Sequence, residues 1–62
     1  MNASFKEFAQ SAGISPQSSF ADIHDCAVDH YESKTLPFEI ADDHWWARAT
    51  AYADRVASKY AI

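Results

Sequence analysis

Apolar residues recur along this chain at intervals of three and four, the spacing of one helical face, and polar or turn-forming residues interrupt them at two places. Ser4-Phe5-Lys6-Glu7 has the form of a capping box, with Ser4 and Glu7 spaced to satisfy free amides at a helix start. Phe5, Phe8, Ala9 and Ala12 follow at helical spacing, and Gly13, the only glycine, is a natural stop. Ser15-Pro16 signals a second start, a hydroxyl cap followed by proline at the first helical position. Ser19 with Asp22 offers a competing start one turn later. From there Phe20, Ile23, Ala27 and Tyr31 line one face, and Pro37 pushes Leu36 toward an extended conformation, so 34–38 reads as a linker. A last helix begins among residues 39–43, its stripe formed by Trp45, Ala49, Tyr52, Val56 and Tyr60. Acids gather at its start while Arg48, Arg55 and Lys59 come later, which suits the helix dipole. The pattern predicts an all-α fold: a compact three-helix domain with helices near 5–12, 16–33 and 41–61, all within a single domain spanning 1–62.

Composition narrows the setting. At 62 residues the chain is one domain at most, with a thin core. Two tryptophans, three tyrosines and four phenylalanines argue against a disordered tail. Cys26 is the only cysteine, so no internal disulfide staples the fold, and a reducing cytoplasmic location is the expectation. The first ten residues lack the apolar core of a signal peptide, and no apolar run has the length of a membrane span. Nine acids against five bases give a net charge of −4. That balance disfavours direct contact with nucleic acid, where cations must replace condensed counterions, and suits a basic protein surface as partner.

Charge placement is the sharpest feature. At about 100° per residue, Asp22, Asp25, Asp29 and Glu32 fall on one line of the second helix, opposite Phe20, Ile23, Ala27 and Tyr31. Acids three or four apart repel one another, and Asp29 and Glu32 also sit toward the end of the helix where the dipole is negative. The stripe therefore costs helix stability, a local rule broken without visible compensation. It reads as a rod of negative charge roughly 15 Å long, offered to a basic groove. A solvated polar face is the plain alternative. Pairing with the basic edge of the third helix is disfavoured, because a stripe opposite the core points away from its neighbours.

Two further surfaces stand out on the third helix. Ala47, Thr50, Ala51, Asp54 and Ser58 form a small-residue side that would let another helix approach, a seam for a homodimer or a partner, although alanine also needs no reason in a helix. Trp45 and Trp46 diverge by about 100°, so one belongs to the core and Trp46 is the candidate partner contact. Catalytic and metal chemistry find little support. Cys26 and His30 lie one turn apart, but His44 and a carboxylate would have to complete a four-ligand zinc site, and no ligand-pair spacing is present. No nucleotide-binding glycine loop, nucleophile elbow or HExxH occurs, so neither a catalytic residue nor a cofactor is expected.

One stretch has a family likeness. FKEFAQSAGISPQSSFADI, residues 5–23, resembles a helix-turn-helix, with Ala9 and Gly13 spaced as in that motif and Ser15 opening the recognition helix. The likeness implies a DNA-binding regulator. Ser19 stands where the motif carries an apolar residue, and the reading helix would present Asp22 and Asp25 with no Arg or Lys. In general character the chain is similar to small acidic phage-encoded inhibitors of host machinery, DNA mimics and anti-CRISPR proteins among them. That class implies an inhibitor or adaptor on the basic surface of a larger protein. A degenerate regulator and a homodimeric structural subunit are the alternatives.

Overall fold

The computed structural model describes residues 4–62. Four helices follow one another, α1 (Phe5–Ser11), α2 (Phe20–Lys34), α3 (Pro37–Ile40) and α4 (Trp45–Tyr60), with no strand among the described residues. The all-α class and the three principal helices agree with the sequence pattern. Two boundaries and one extra turn do not.

The Ser4 hydroxyl accepts from the Glu7 amide at 3.3 Å, and α1 closes on Gly13 at φ 77°. Ile14 N–H donates to Ala9 O and Gly13 N–H to Gln10 O, the paired reverse bonds of a Schellman stop. This stop folds Ile14 back toward α1.

α2 begins at Phe20, not at Pro16. Ser15 does cap, since its hydroxyl accepts from Gln17 N–H, but the turn goes no further than Ser18 N–H to Ser15 O. The Ser18 hydroxyl accepts from Ser15 N–H and the Ser19 hydroxyl from Asp22 N–H, local side-chain bonds that compete with propagation of a helix from Pro16. Ser19 is extended (φ −60°, ψ 150°), and its hydroxyl accepts from Asp22 N–H at 3.2 Å, so the later start prevails.

Residues 34–38 hold more order than a linker. Leu36 is extended as the following proline requires, and Pro37 then opens the one-turn helix α3. Glu39 reaches back to accept from Leu36 N–H at 2.6 Å. The last helix starts later than its acids suggest. Asp42 accepts from His44 N–H at 2.7 Å through its side chain and from Trp45 N–H through its carbonyl, which holds 42–44 in a turn and delays α4 to Trp45.

α2 against α4 is the main packing contact. Its centre is made of small groups. Ala9, Ala27, Ala49, Ala53 and Ala57 are fully buried, and Ile23 is the largest side chain with no exposure. Ala49, Ala53 and Ala57 recur one turn apart, a smooth column that lets α2 lie close, since helix separation follows the size of the contact residues. The rings form a collar around this centre. Tyr31 packs on Trp45 and Tyr52, with centroids 5.8 and 5.3 Å away, and the buried Trp45 indole donates to Thr35 Oγ1 at 3.0 Å. Tyr52, Val56 and Tyr60, expected in the core stripe, are only half-buried.

On α2 the buried face is Ile23, Cys26, Ala27 and His30. Phe20, expected on that face, is 49% exposed. His30 takes an inner place because Phe8 and Phe5 of α1 cover its ring, at 4.9 and 5.8 Å, while its Nδ1 shares a 2.7 Å hydrogen bond with the Tyr52 hydroxyl. At the other end, Tyr60 O–H donates to Ile14 O at 2.8 Å and Ile62 N–H to Pro16 O at 3.1 Å, tying the chain end to the α1–α2 loop.

Candidate functional site

Asp22, Asp25, Asp29 and Glu32 are all exposed along α2, each three or four residues from the next. Among the described residues no Lys, Arg or His nitrogen lies within 4 Å of any of these four carboxylates. The stripe does not simply point away from the rest of the molecule, as a position opposite the core implied. α1 and the loop after it come alongside its first three members, and an open groove of about 300 Å³ runs between them. Phe8, Ala12 and Ile14 form the neutral wall, while Asp22, Asp25 and Asp29 form the acidic one. Cys26 lies at the base, buried, and desolvation followed by the Asp29 charge pushes its thiol above the ordinary value. Glu32 continues the stripe beyond the groove.

Trp46 stands apart from this site. It is 61% exposed on α4, while Trp45 takes the core position, so the two indoles divide as their angular separation requires. Leu36, Phe38 and Ile40 are exposed in the same stretch of chain, Phe38 at 73%. On the small-residue side of α4, Ala47, Ala51 and Ser58 are exposed, but Asp54 is engaged. Its carboxylate accepts from His24 Nε2 at 2.8 Å and so ties α4 to α2 at the surface.

A second, shallower groove of about 250 Å³ lies on the other side of α1, between Phe5, Val56 and Tyr60, with Lys6 and Lys59 at its edges. α1 thus separates an acid-walled groove from a base-edged one. Among the described residues, no three His, Cys, Asp or Glu side chains gather closely enough to hold a metal ion. No helix of the described residues is long and apolar enough to cross a membrane. The helix-turn-helix spacing is not adopted either: residues 12–19 separate α1 from α2, where that motif has a turn of about three or four. Ser15, which would open the reading helix, lies in that loop.

The sequence pattern places the acids on one line of α2 and gives no account of Phe8, Ala12, Ile14 and Cys26 beside three of them. Gly13 carried the signal, because a Schellman stop returns the next apolar residue to its own helix. Comparison with protein-family models, curated proteins and solved structures finds no match to this chain.

Proposed function

We propose that this chain is a binding protein rather than a catalyst: a small acidic inhibitor or adaptor that occupies a basic surface of a larger protein, in the manner of a nucleic-acid mimic. The observation that carries this reading is the run of four exposed carboxylates on one helix with no cation of the described residues within 4 Å. Such a run costs helix stability through repulsion between neighbouring acids, offset only at Asp22, which lies in the first turn of α2. A basic partner supplies the missing countercharge.

The test compares the parent with Asp25→Lys/Asp29→Lys. A protein captured from the source cells is identified, purified and titrated against both. The variant is expected to keep the parental circular dichroism and to lose binding by about a hundredfold or more, since each contact becomes a like-charge clash worth several kcal/mol. Parental binding weakens as salt rises past physiological ionic strength, where screening acts over about 8 Å. Two Asp→Lys exchanges take the formal charge from −4 to zero, so Asp25→Asn/Asp29→Asn serves as a control for solubility. A folded double-Lys variant that binds at parental strength refutes the reading. A homodimeric subunit is the second reading, favoured by exposed Leu36, Phe38 and Trp46, and a mass that doubles with concentration supports it.

A further inference from the structure

The acidic stripe and the apolar wall of α1 face each other across one groove, and together they specify more than a basic surface. The neutral wall is made by Phe8, Ala12 and Ile14 and carries no charge. The opposite wall carries three carboxylates at positions 22, 25 and 29, a span of about 10 Å at 1.5 Å per residue. At about 300 Å³ the groove is at the lower limit for a small-molecule site, and it is open along its length. It suits a ridge of side chains rather than an enclosed ligand.

We propose that this groove seats an amphipathic basic helix of the partner, with an apolar ridge against Phe8, Ala12 and Ile14 and an adjacent Lys/Arg ridge along Asp22, Asp25 and Asp29. The inference rests on the docking reading above and gives its partner a shape. Helical side chains at i, i+3 or i+4, and i+7 repeat at the interval of the three carboxylates, so cations on such a helix meet them in register. Charge complementarity excludes an acidic or nucleic-acid occupant. A second copy of this chain offers no such helix with a free apolar ridge. The chain's one helix with cations one and two turns apart is α4, through Arg48, Arg55 and Lys59, and its apolar column is already buried against α2.

Two synthetic helices of about five turns provide the probe, built from the same Leu and Lys residues. In one the Lys ridge lies beside the Leu ridge; in the other it lies opposite. Fluorescence anisotropy is expected to show the adjacent-ridge peptide binding at least about tenfold tighter, with amide shifts concentrated at 8–14 and 22–29. Ala12→Phe fills the groove at an exposed position without changing charge and should weaken binding by about tenfold or more, with its melting temperature unchanged. In the parent, bound peptide should slow alkylation of Cys26 at the groove base, a readout that needs no variant. Equal binding of both peptides, shifts confined to 36–46 or α4, or no protection of Cys26 would each overturn the inference. The outcomes separate it from the broader reading. With the captured partner, full binding by Ala12→Phe and none by Asp25→Lys/Asp29→Lys sinks the groove and leaves the charged stripe. The reverse pattern sinks the charge reading and the basic ridge with it.

Discussion

Cys26 and His30 carry the two side chains whose spacing invited a metal site in the sequence, and both take places in the packed interior. Cys26 fills a site beside Ile23 and Ala27 at the base of the groove, with its thiol raised by desolvation and by Asp29. Its folded form keeps a proton that the unfolded thiol gives up near pH 8.5, so this group stabilises the fold below that value and the benefit declines as pH climbs toward the raised folded value. Urea unfolding at pH 7 and pH 10 should show the parent losing more stability than Cys26→Ser; parallel losses would refute the linkage. His30 reads as polar in any periodic count, yet it is 3% exposed. The imidazole belongs inside because Phe5, Phe8 and Tyr52 surround it with rings, and Tyr52 also takes a hydrogen bond. Nothing local in the sequence announces that environment, since its parts come from three helices. Phe20 is the converse case, an apolar residue at the right interval but in the first turn of α2, where no α4 side chain covers it fully.

At the scale of elements, caps were more legible than lengths. Ser4, Gly13, Ser19 and Pro37 all act where their chemistry predicts. Ser15-Pro16 is also a valid start, but two serines follow and the helix fails to propagate. Ser19→Ala should therefore cost about 1 kcal/mol, or roughly 4–8 °C in melting temperature for a domain of this size. Ser15→Ala, which only loosens a surface turn, should cost less. Thermal melts decide it, and a larger loss for Ser15→Ala would return the functional start of the helix to Pro16. α3 and the turn at 42–44 escaped the pattern because one-turn elements have no period to detect; only Glu39 and Asp42 folding onto the backbone create them.

Across the whole molecule, the alignment of the four acids along one line of α2 followed from helical geometry alone, while the groove beside them, and so the stripe's surroundings, did not. The groove needs α1 laid along α2, and that placement depends on contacts far apart in sequence. Tyr60 O–H to Ile14 O spans 46 positions and holds the groove wall from the opposite end of the chain. Tyr60→Phe should cost about 1 kcal/mol, since it leaves the Ile14 carbonyl without its donor. Hydrogen exchange should also speed up at the Ile62 amide, bonded to Pro16 O, beyond any change at the Ile23 amide in α2. Equal acceleration at both amides would mean that the tie has no local role.

The alanine column of α4 has a consequence for how this chain tolerates change over time. In most small domains the large buried residues are the least replaceable and the alanines drift. Here the order is inverted. Apart from Trp45, the collar rings Tyr31, Tyr52 and Tyr60 sit half-open, where another apolar residue of similar bulk finds room. Ala49, Ala53 and Ala57 have no such freedom: any larger side chain drives α2 away from α4, and glycine loosens the helix itself. A lineage descended from this chain would be recognised less by its aromatic residues than by three methyl groups, one turn apart, that cannot be exchanged.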